Sequence, residues 1–323
     1  MRIIEDIEQI GQLPRGMVLT IGNFDGVHRG HQAIIAAARR AADQRDTQAA
    51  VMTFEPHPAA ILRPGSAPGV LTPLPLKLRL LQTTGVDVVI VIRDGFDLLN
   101  LSPSDFVDRF LMSHLSPSMI VEGPNFNFGY GRSGTVQTLR TLGASGGFEV
   151  LEVPFTEARL GKERRAAVCS SSLIREKLDA GCVYEAAQLL SRPYRVSGTV
   201  IAGRGIGRAL GYPTANIEPV AQNLPSEGVY AGYVVVGESY DQVCFGGHRR
   251  PAALSIGRAK TFVTDHPLLL EAHLLEDNVE NLYAKWLGLE FMDWIRSQRR
   301  FDSKEDLAEQ IAQDCRDALT VLI

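Results

Sequence analysis

The sequence predicts two unlike halves: an N-terminal α/β domain built on a parallel sheet, and a C-terminal antiparallel β-barrel with a terminal helix. Three observations lead there. Near-continuous Val- and Ile-rich runs alternate with helix-forming stretches up to about residue 190, the pattern of strands buried on both faces. Beyond that point the apolar segments shorten, alternate with polar residues and are separated by Gly, Pro, Asn and Asp. From Asp302 onward Leu307, Ile311, Cys315, Leu319 and Val321 recur at helical spacing, a stripe expected to serve as core against the barrel.

In order, strands are expected at 17–21, 49–54, 88–92, 119–123 and 148–153, with helices at 31–42, 76–83, 103–114, 135–142 and 171–180 between and after them. In a parallel sheet of this kind ligands sit beyond the carboxyl ends of the strands. The barrel strands are expected at 194–202, 229–236, 252–256 and 268–275. The change of pattern places the domain boundary near Ser191-Arg-Pro, and the domains are taken as 1–186 and 187–323.

With 323 residues and 45% hydrophobic residues, the chain can bury two ordinary cores. A formal charge of -4 shows no basic excess, which argues against a binder of nucleic-acid backbones. The opening Met1-Arg-Ile-Ile-Glu-Asp has acids where a signal peptide would be apolar, and no apolar run approaches membrane-spanning length. Cys169, Cys182, Cys244 and Cys315 are scattered without paired spacing and read as reduced thiols. A cytoplasmic protein is expected, with small molecules as partners, no nucleic acid and no membrane; weak self-association is left open.

Four segments of the first half carry chemistry. Gly22-Asn23-Phe-Asp-Gly-Val-His28-Arg-Gly-His31 closes a strand and opens a helix, so glycines permit a tight turn and two imidazoles lie beside the unpaired first-turn amides. Those amides and the positive end of the helix dipole attract an anion, above all a phosphate. Phe54-Glu-Pro-His57-Pro58 follows the next strand, where two prolines are expected to force an extended, rigid turn presenting Phe54 and His57. Gly123-Pro-Asn125-Phe-Asn-Phe128-Gly follows another strand with aromatic and amide groups suited to a flat heterocycle. Ser170-Ser171-Ser-Leu-Ile-Arg175 places hydroxyls at a helix start and a cation one turn on, which serves either as a plain helix cap or as a triphosphate clamp.

In the second half stands Gly203-Arg-Gly-Ile-Gly207-Arg-Ala-Leu-Gly-Tyr-Pro-Thr214-Ala-Asn216. It lacks the Gly-Lys-Ser/Thr ending of a Walker loop and the strand-to-long-helix setting of a dinucleotide fingerprint. Alternation along an extended segment sends Thr214 and Asn216 to one face. Two neutral oxygens there suit Mg2+ already carrying nucleotide phosphates.

His-x-Gly-His after such a strand resembles the nucleotidylyltransferase signature. Taken in order, Gly-Asn-Phe-Asp-Gly-Val-His-Arg-Gly-His, Phe-Glu-Pro-His-Pro, Asn-Phe-Asn-Phe-Gly, Ser-Ser-x-x-Arg, Arg-Pro-Tyr, Gly-Tyr-Pro-Thr-Ala-Asn, Leu-Pro-x-x-Gly-Val-Tyr-Ala and Glu271-Ala-His-Leu-Leu resemble the bacterial bifunctional riboflavin kinase/FAD synthetases over nearly the whole chain. The resemblance implies a Rossmann-like FMN adenylyltransferase domain, which joins AMP from ATP to FMN, and a barrel kinase domain, which makes FMN from riboflavin. It implies that His28 and His31 stabilise charge on the ATP phosphates, and that Gly22, Asn23, Asn125, Ser170, Ser171 and Arg175 lie on the ATP side. Phe54, His57 and Phe128 match flavin-side positions. In the kinase, Gly203, Gly207, Thr214 and Asn216 match the ATP site, with Thr214 and Asn216 on Mg2+. Glu271 matches the base for the riboflavin 5'-hydroxyl, and Arg296 falls in the segment that closes on flavin.

The chain departs from the family where Asn-Ile-Gly-Thr-x-Pro-Thr-Phe is usual and Ser255-Ile-Gly-Arg258-Ala-Lys260-Thr-Phe stands, and where Asp-Leu-Tyr-Gly is usual and Asn281-Leu-Tyr-Ala284 stands. Both changes are expected in loops around the flavin and base. Leu173 also replaces a common Arg. A second reading, FMN adenylyltransferase alone with the barrel kept for flavin binding or regulation, is opposed by the retention of Thr214, Asn216 and Glu271, since a binding module has no use for a base.

Overall fold

The structure, a computed structural model, describes residues 1–93, 96–203, 206–258, 268–277 and 279–322. Lys260, one of the departures, lies outside the described residues. The chain forms two compact units: Met1–Ala158 with Ala167–Cys169, and Arg159–Ala166 with Ser170–Ile323.

The first unit is built on six parallel strands: β1 (Arg2–Ile4), β2 (Val18–Ile21), β3 (Ala49–Glu55), β4 (Val88–Arg93), β5 (Met119–Glu122) and β6 (Glu149–Glu152), in the order β1-β4-β3-β2-β5-β6. The edge strand β1 was not expected, because its Arg-Ile-Ile is too short to show a period. Successive side chains alternate between faces, and both faces are covered, which is why the strands read as continuous apolar runs. Leu19, Met52, Ile90 and Ile120 enter one cluster with Phe106, Phe110 and Phe128. Val18, Ala49 and Val121 meet the alanine-rich face of α1 (Arg29–Gln44), and Val51 and Val89 meet α2 (Leu74–Gln82). Helix α3 (Val136–Gly146) leads into β6. The expected helix at 103–114 is present but wider than an α-helix along Phe106–Leu115, where the Ser116 amide closes onto the Leu111 carbonyl five residues back.

The second unit is a closed antiparallel barrel of β7 (Tyr194–Ile201), β8 (Ala215–Pro219), β9 (Gly228–Gly237), β10 (Arg250–Arg258), β11 (Leu268–Leu274) and β12 (Trp286–Arg296), in the order β7-β8-β11-β10-β9-β12. β12, which closes the barrel between β7 and β9, was not expected as a strand. Helices α4 (Ser171–Asp179) and α5 (Val183–Leu190) group with the barrel. The turn between them is held by the Ser226 amide donating to the Leu178 carbonyl at 2.9 Å. Gly181 in that turn has φ +75 and packs so closely on Trp294 that a Cβ would stand 2.6 Å from the ring.

The terminal helix α6 (Lys304–Leu322) packs on the barrel with a face rotated from the expected one. Its buried residues are Asp314 and Ala318, whereas Leu307, Ile311, Cys315 and Leu319 are half-buried and Val321 is exposed. Arg296 supplies the reason. Its guanidinium binds both Asp314 oxygens, at 2.7 and 2.6 Å, and draws that face inward. Among the described residues no helix is long and apolar enough to cross a membrane.

Candidate active sites

In the first unit the chain leaves β2 through a turn in which Phe24 (φ +46), Gly26 (φ +88) and Val27 (φ +39) take left-handed backbone. Anchors hold this costly geometry. The Phe24 ring is buried in the α2 cluster. The buried Asp25 carboxylate accepts the amides of Leu71 at 3.0 Å and Thr72 at 2.9 Å, and the Thr72 hydroxyl accepts the Gly26 amide at 2.9 Å. The turn delivers His28 as the cap of α1, which starts two residues earlier than expected: its Nδ1 accepts the His31 amide at 3.4 Å. The two imidazoles stack with centroids 3.6 Å apart, and the Phe24 ring meets His31 edge-on at 5.1 Å. With Nδ1 accepting, a neutral His28 carries its proton on Nε2.

After β3 the expected extended turn is replaced by a helix start. His57 caps the short helix Pro58–Leu62, its Nδ1 accepting the Ala59 amide at 3.0 Å, and Pro58 takes the first helical position, where its missing N–H leaves no partner wanting. His57 Nε2 lies 3.0 Å from the Asn23 carboxamide, so the exits of β2 and β3 are tied through two predicted residues. Phe54 is half-buried against the Phe106 cluster. After β5, Asn125 is exposed, and its carboxamide lies back toward Gly123. Phe128 is buried between Phe106, at 5.7 Å, and Phe126, at 5.6 Å; the more open ring of that stack is Phe126, which was not singled out.

Two further buried ionisable groups escaped the sequence reading. Lys77 on α2 stands 3.8 Å from Glu55, and burial pushes its ammonium below the usual lysine range while Glu55 and Asp25 pull it back. Its signal was a lysine on the apolar face, spaced with Leu74, Leu80 and Leu81. Glu122 ends β5 fully buried, and nothing in its sequence context marks it.

In the second unit Ser170 caps α4, its hydroxyl accepting the Leu173 amide at 3.2 Å; Ser171 and Arg175 lie on the same helix, half-buried. The Gly-rich segment closes onto the Thr–Asn pair. A Cβ on Gly203 would stand 2.0 Å from the Asn216 carboxamide, and one on Gly207 would stand 2.4 Å from the Tyr212 carbonyl and 3.2 Å from the Thr214 hydroxyl. Only glycine permits that approach. Asn216 on β8 pairs with Ile201 on one side and Glu271 of β11 on the other, and Glu271 pairs with Ser255 of β10. Directly paired residues share a face. Their neighbours Ala215, Ile217, Leu270, Ala272, Leu254 and Ile256 are buried, so Asn216, Glu271 and Ser255 form one row on the outer face.

Ser255 and Arg258 therefore belong to a strand, not to a loop as expected; Asn281 and Ala284 do lie between strands. The Gln298 carboxamide donates to Ser255 Oγ at 2.9 Å and to the Ile256 carbonyl at 3.0 Å. His273, two residues beyond Glu271, has Nδ1 2.8 Å from the Pro213 carbonyl and braces the segment that presents Thr214. Period-two alternation from Glu271 would have found it. Arg296 is engaged by Asp314.

A parallel α/β unit with a histidine-capped helix at its strand exits, joined in one chain to a barrel with an acid and an amide on one row, defines a two-site, nucleotide-using transferase. Residues 11–166 match the FAD synthetase family model and residues 190–322 the riboflavin kinase model. The chain belongs to the family of bifunctional riboflavin kinase/FMN adenylyltransferases. It is 35% identical to the protein of that name from Escherichia coli (strain K12), covering 97% of this chain and 96% of that one, and 35% identical to its Pseudomonas fluorescens counterpart over the same shares. The crystal structure of a macrolide-efflux protein from Streptococcus pneumoniae matches the fold with a TM-score of 0.82 at 27% identity, covering 97% of this chain and 96% of that one.

Proposed function

We propose that the two steps of flavin cofactor synthesis proceed at the two sites described above: riboflavin to FMN on the barrel, and FMN to FAD at the strand exits of the parallel sheet. The observation that supports this division best is the convergence of Gly203, Gly207, Thr214 and Asn216 beside Glu271, in a different unit from the one that carries the histidine turn. In the first step Glu271 accepts the proton of the riboflavin 5'-hydroxyl, whose oxygen attacks the γ-phosphorus of ATP, and ADP leaves. In the second an FMN phosphate oxygen attacks the α-phosphorus of ATP and pyrophosphate leaves, with His28, His31 and the first amides of α1 stabilising the charge.

Gly22, Asn23 and Asn125 line the ATP side of that second site; Phe54, His57 and Phe128 serve the flavin side, with Phe128 acting through the half-buried Phe126 stacked on it. The resemblance is the support for Ser170, Ser171 and Arg175 on the triphosphate and for Arg296 near the flavin. Thr214 and Asn216 fit Mg2+: they offer neutral, hard oxygens beside a carboxylate, and Gly203 admits the Asn216 carboxamide where a Cβ would collide with it. Among the described residues no group of three or more His, Cys, Asp and Glu could hold a metal ion, so the donor set suits an ion arriving with nucleotide phosphates. Held by Thr214 and Asn216, the magnesium would supply positive charge to offset that of the phosphates. We read the protein as cytoplasmic and without nucleic-acid partners, and any self-association as weak.

The activities are read onto residues 1–186 and 187–323. Because residue 187 falls inside α5, a fragment for the kinase alone begins better at Ser170. The test is incubation of the full chain with riboflavin and MgATP, followed by chromatography of the flavins. Both FMN and FAD are expected. FAD formed only from supplied FMN would overturn the kinase assignment.

A further inference from the structure

β2 and β5 pair at Val18 with Met119 and at Leu19 with Ile120, and their ladder stops there. Each strand runs on beside its other neighbour, β2 to Ile21 opposite Met52 of β3, and β5 to Glu122 opposite Glu152 of β6. The two strands part where the sheet order reverses, since β3 and β4 follow on one side of β2 while β5 and β6 lie on the other. Such a reversal opens the crevice in which α/β sheets take their ligands. Into this parting Glu122 sets its carboxyl. Oε1 accepts the Ile21 amide at 2.6 Å, a bond that a continued ladder would have supplied from the backbone. Gly22 follows on one strand and Gly123 on the other, so the loops bearing the candidate adenylylation residues leave from positions joined by this side chain.

We propose that Glu122 is a positioning residue for adenylyl transfer: its buried carboxyl ties the exits of β2 and β5 together at the strand reversal and sets the spacing between the loops at 22–31 and 123–128. The inference rests on the assignment of adenylyl transfer to this site. Burial holds the carboxyl well above the usual carboxylate range, and the Ile21 amide offsets this only in part. The neighbouring acid on its rung, Glu152, is occupied by Arg140 of α3 at 2.7 Å. A neutral group of this shape is what glutamine reproduces and valine does not.

The test compares Glu122→Gln and Glu122→Val in the full chain, with the KM for ATP and kcat measured in FMN adenylylation and riboflavin phosphorylation followed in the same preparations. Glu122→Gln is expected to keep the KM of the parent. Glu122→Val is expected to raise it about tenfold, the factor a lost buried hydrogen bond commonly carries, with kcat for the FMN step little changed and the kinase untouched. A merely structural role would lower the active fraction, and so the apparent kcat, at constant KM; that result overturns the proposal. So does a Glu122→Gln variant as impaired as Glu122→Val, which would make the charge the working feature. A parent chain unable to adenylylate FMN would instead defeat the underlying assignment, and this inference with it.

Discussion

The two candidate sites are assembled by opposite routes. In the first unit each candidate group lies at or just beyond the carboxyl end of a parallel strand, so one strand exit contributes one short motif: 22–31 after β2, 54–57 across the end of β3, 125–128 after β5. On the barrel the working row runs across strands, and Ile201, Asn216, Glu271 and Ser255 meet only through register. In a loop-built site each motif carries its own geometry, and the scaffold sets only the spacing of the strand exits. In a register-built one the scaffold also decides which residues face the site: a slip of β8 by one residue would turn Asn216 to the core and Ala215 to the row. The kinase should therefore be the more sensitive of the two activities to changes in its scaffold.

The sharpest test of this contrast is removal of one group from each site. Glu271→Gln keeps size and hydrogen bonding but withdraws the proton acceptor, so riboflavin phosphorylation should fall about a hundredfold to ten-thousandfold. Conversion of FMN to FAD should continue at the parent rate. His31→Ala should lower FMN adenylylation about a hundredfold to a thousandfold, and FMN should accumulate from riboflavin. Flavin chromatography with riboflavin or FMN as substrate reads both. Equal loss of the two rates in either variant would break the independence of the sites.

That contrast also explains what could be read from the sequence. The parallel strands were legible because both faces are buried and each run is apolar throughout, and the histidine turn because its residues are contiguous. β12 was not. Leu287, Gly288, Leu289, Glu290 and Phe291 are buried in succession, and register shifts opposite β9 disturb what alternation there is. Glu290 among them reads as a surface residue, yet it is buried in ion pairs with Arg195 and Arg249. Asp314 misled in the same way, because a helix face is assigned by its apolar residues and the partner that buries this acid stands on a distant strand. Glu122 is the third case. Single buried acids are invisible to periodicity, since what makes burial affordable is a partner elsewhere in the chain.

The next largest effect expected concerns scaffold rather than chemistry. Asp314→Ala would leave Arg296 without its two-point partner and free the inner face of α6. Breaking a buried pair costs about 3–5 kcal/mol, and the guanidinium's partial access to water brings the expectation toward about 3 kcal/mol. Both tryptophans of the chain, Trp286 and Trp294, lie on β12, so urea unfolding followed by tryptophan fluorescence reports the second unit alone. The midpoint should fall, and riboflavin phosphorylation should become less heat-stable while FMN adenylylation does not. An unchanged midpoint would mean that α6 is held by its apolar contacts.

The smallest expected effect tests a departure from the family pattern. Ala284 stands where the family usually has glycine, and its φ is +62, in the left-handed region where a Cβ crowds the following carbonyl. The conformation is imposed from outside: the Ala284 amide donates to the Val200 carbonyl at 3.1 Å, and the Lys285 carbonyl accepts the Val200 amide at 2.9 Å, so the segment entering β12 is pinned to the end of β7. Ala284→Gly removes the crowding and keeps both bonds. The gain is set against the greater freedom of glycine in the unfolded chain, which leaves a net stabilisation of about 0.5–1 kcal/mol. The same fluorescence measurement should show the urea midpoint moving up slightly. A midpoint that moved down would mean that the alanine side chain is supported at this turn rather than strained by it, and that the two ends of the barrel are held less tightly here than their hydrogen bonds imply.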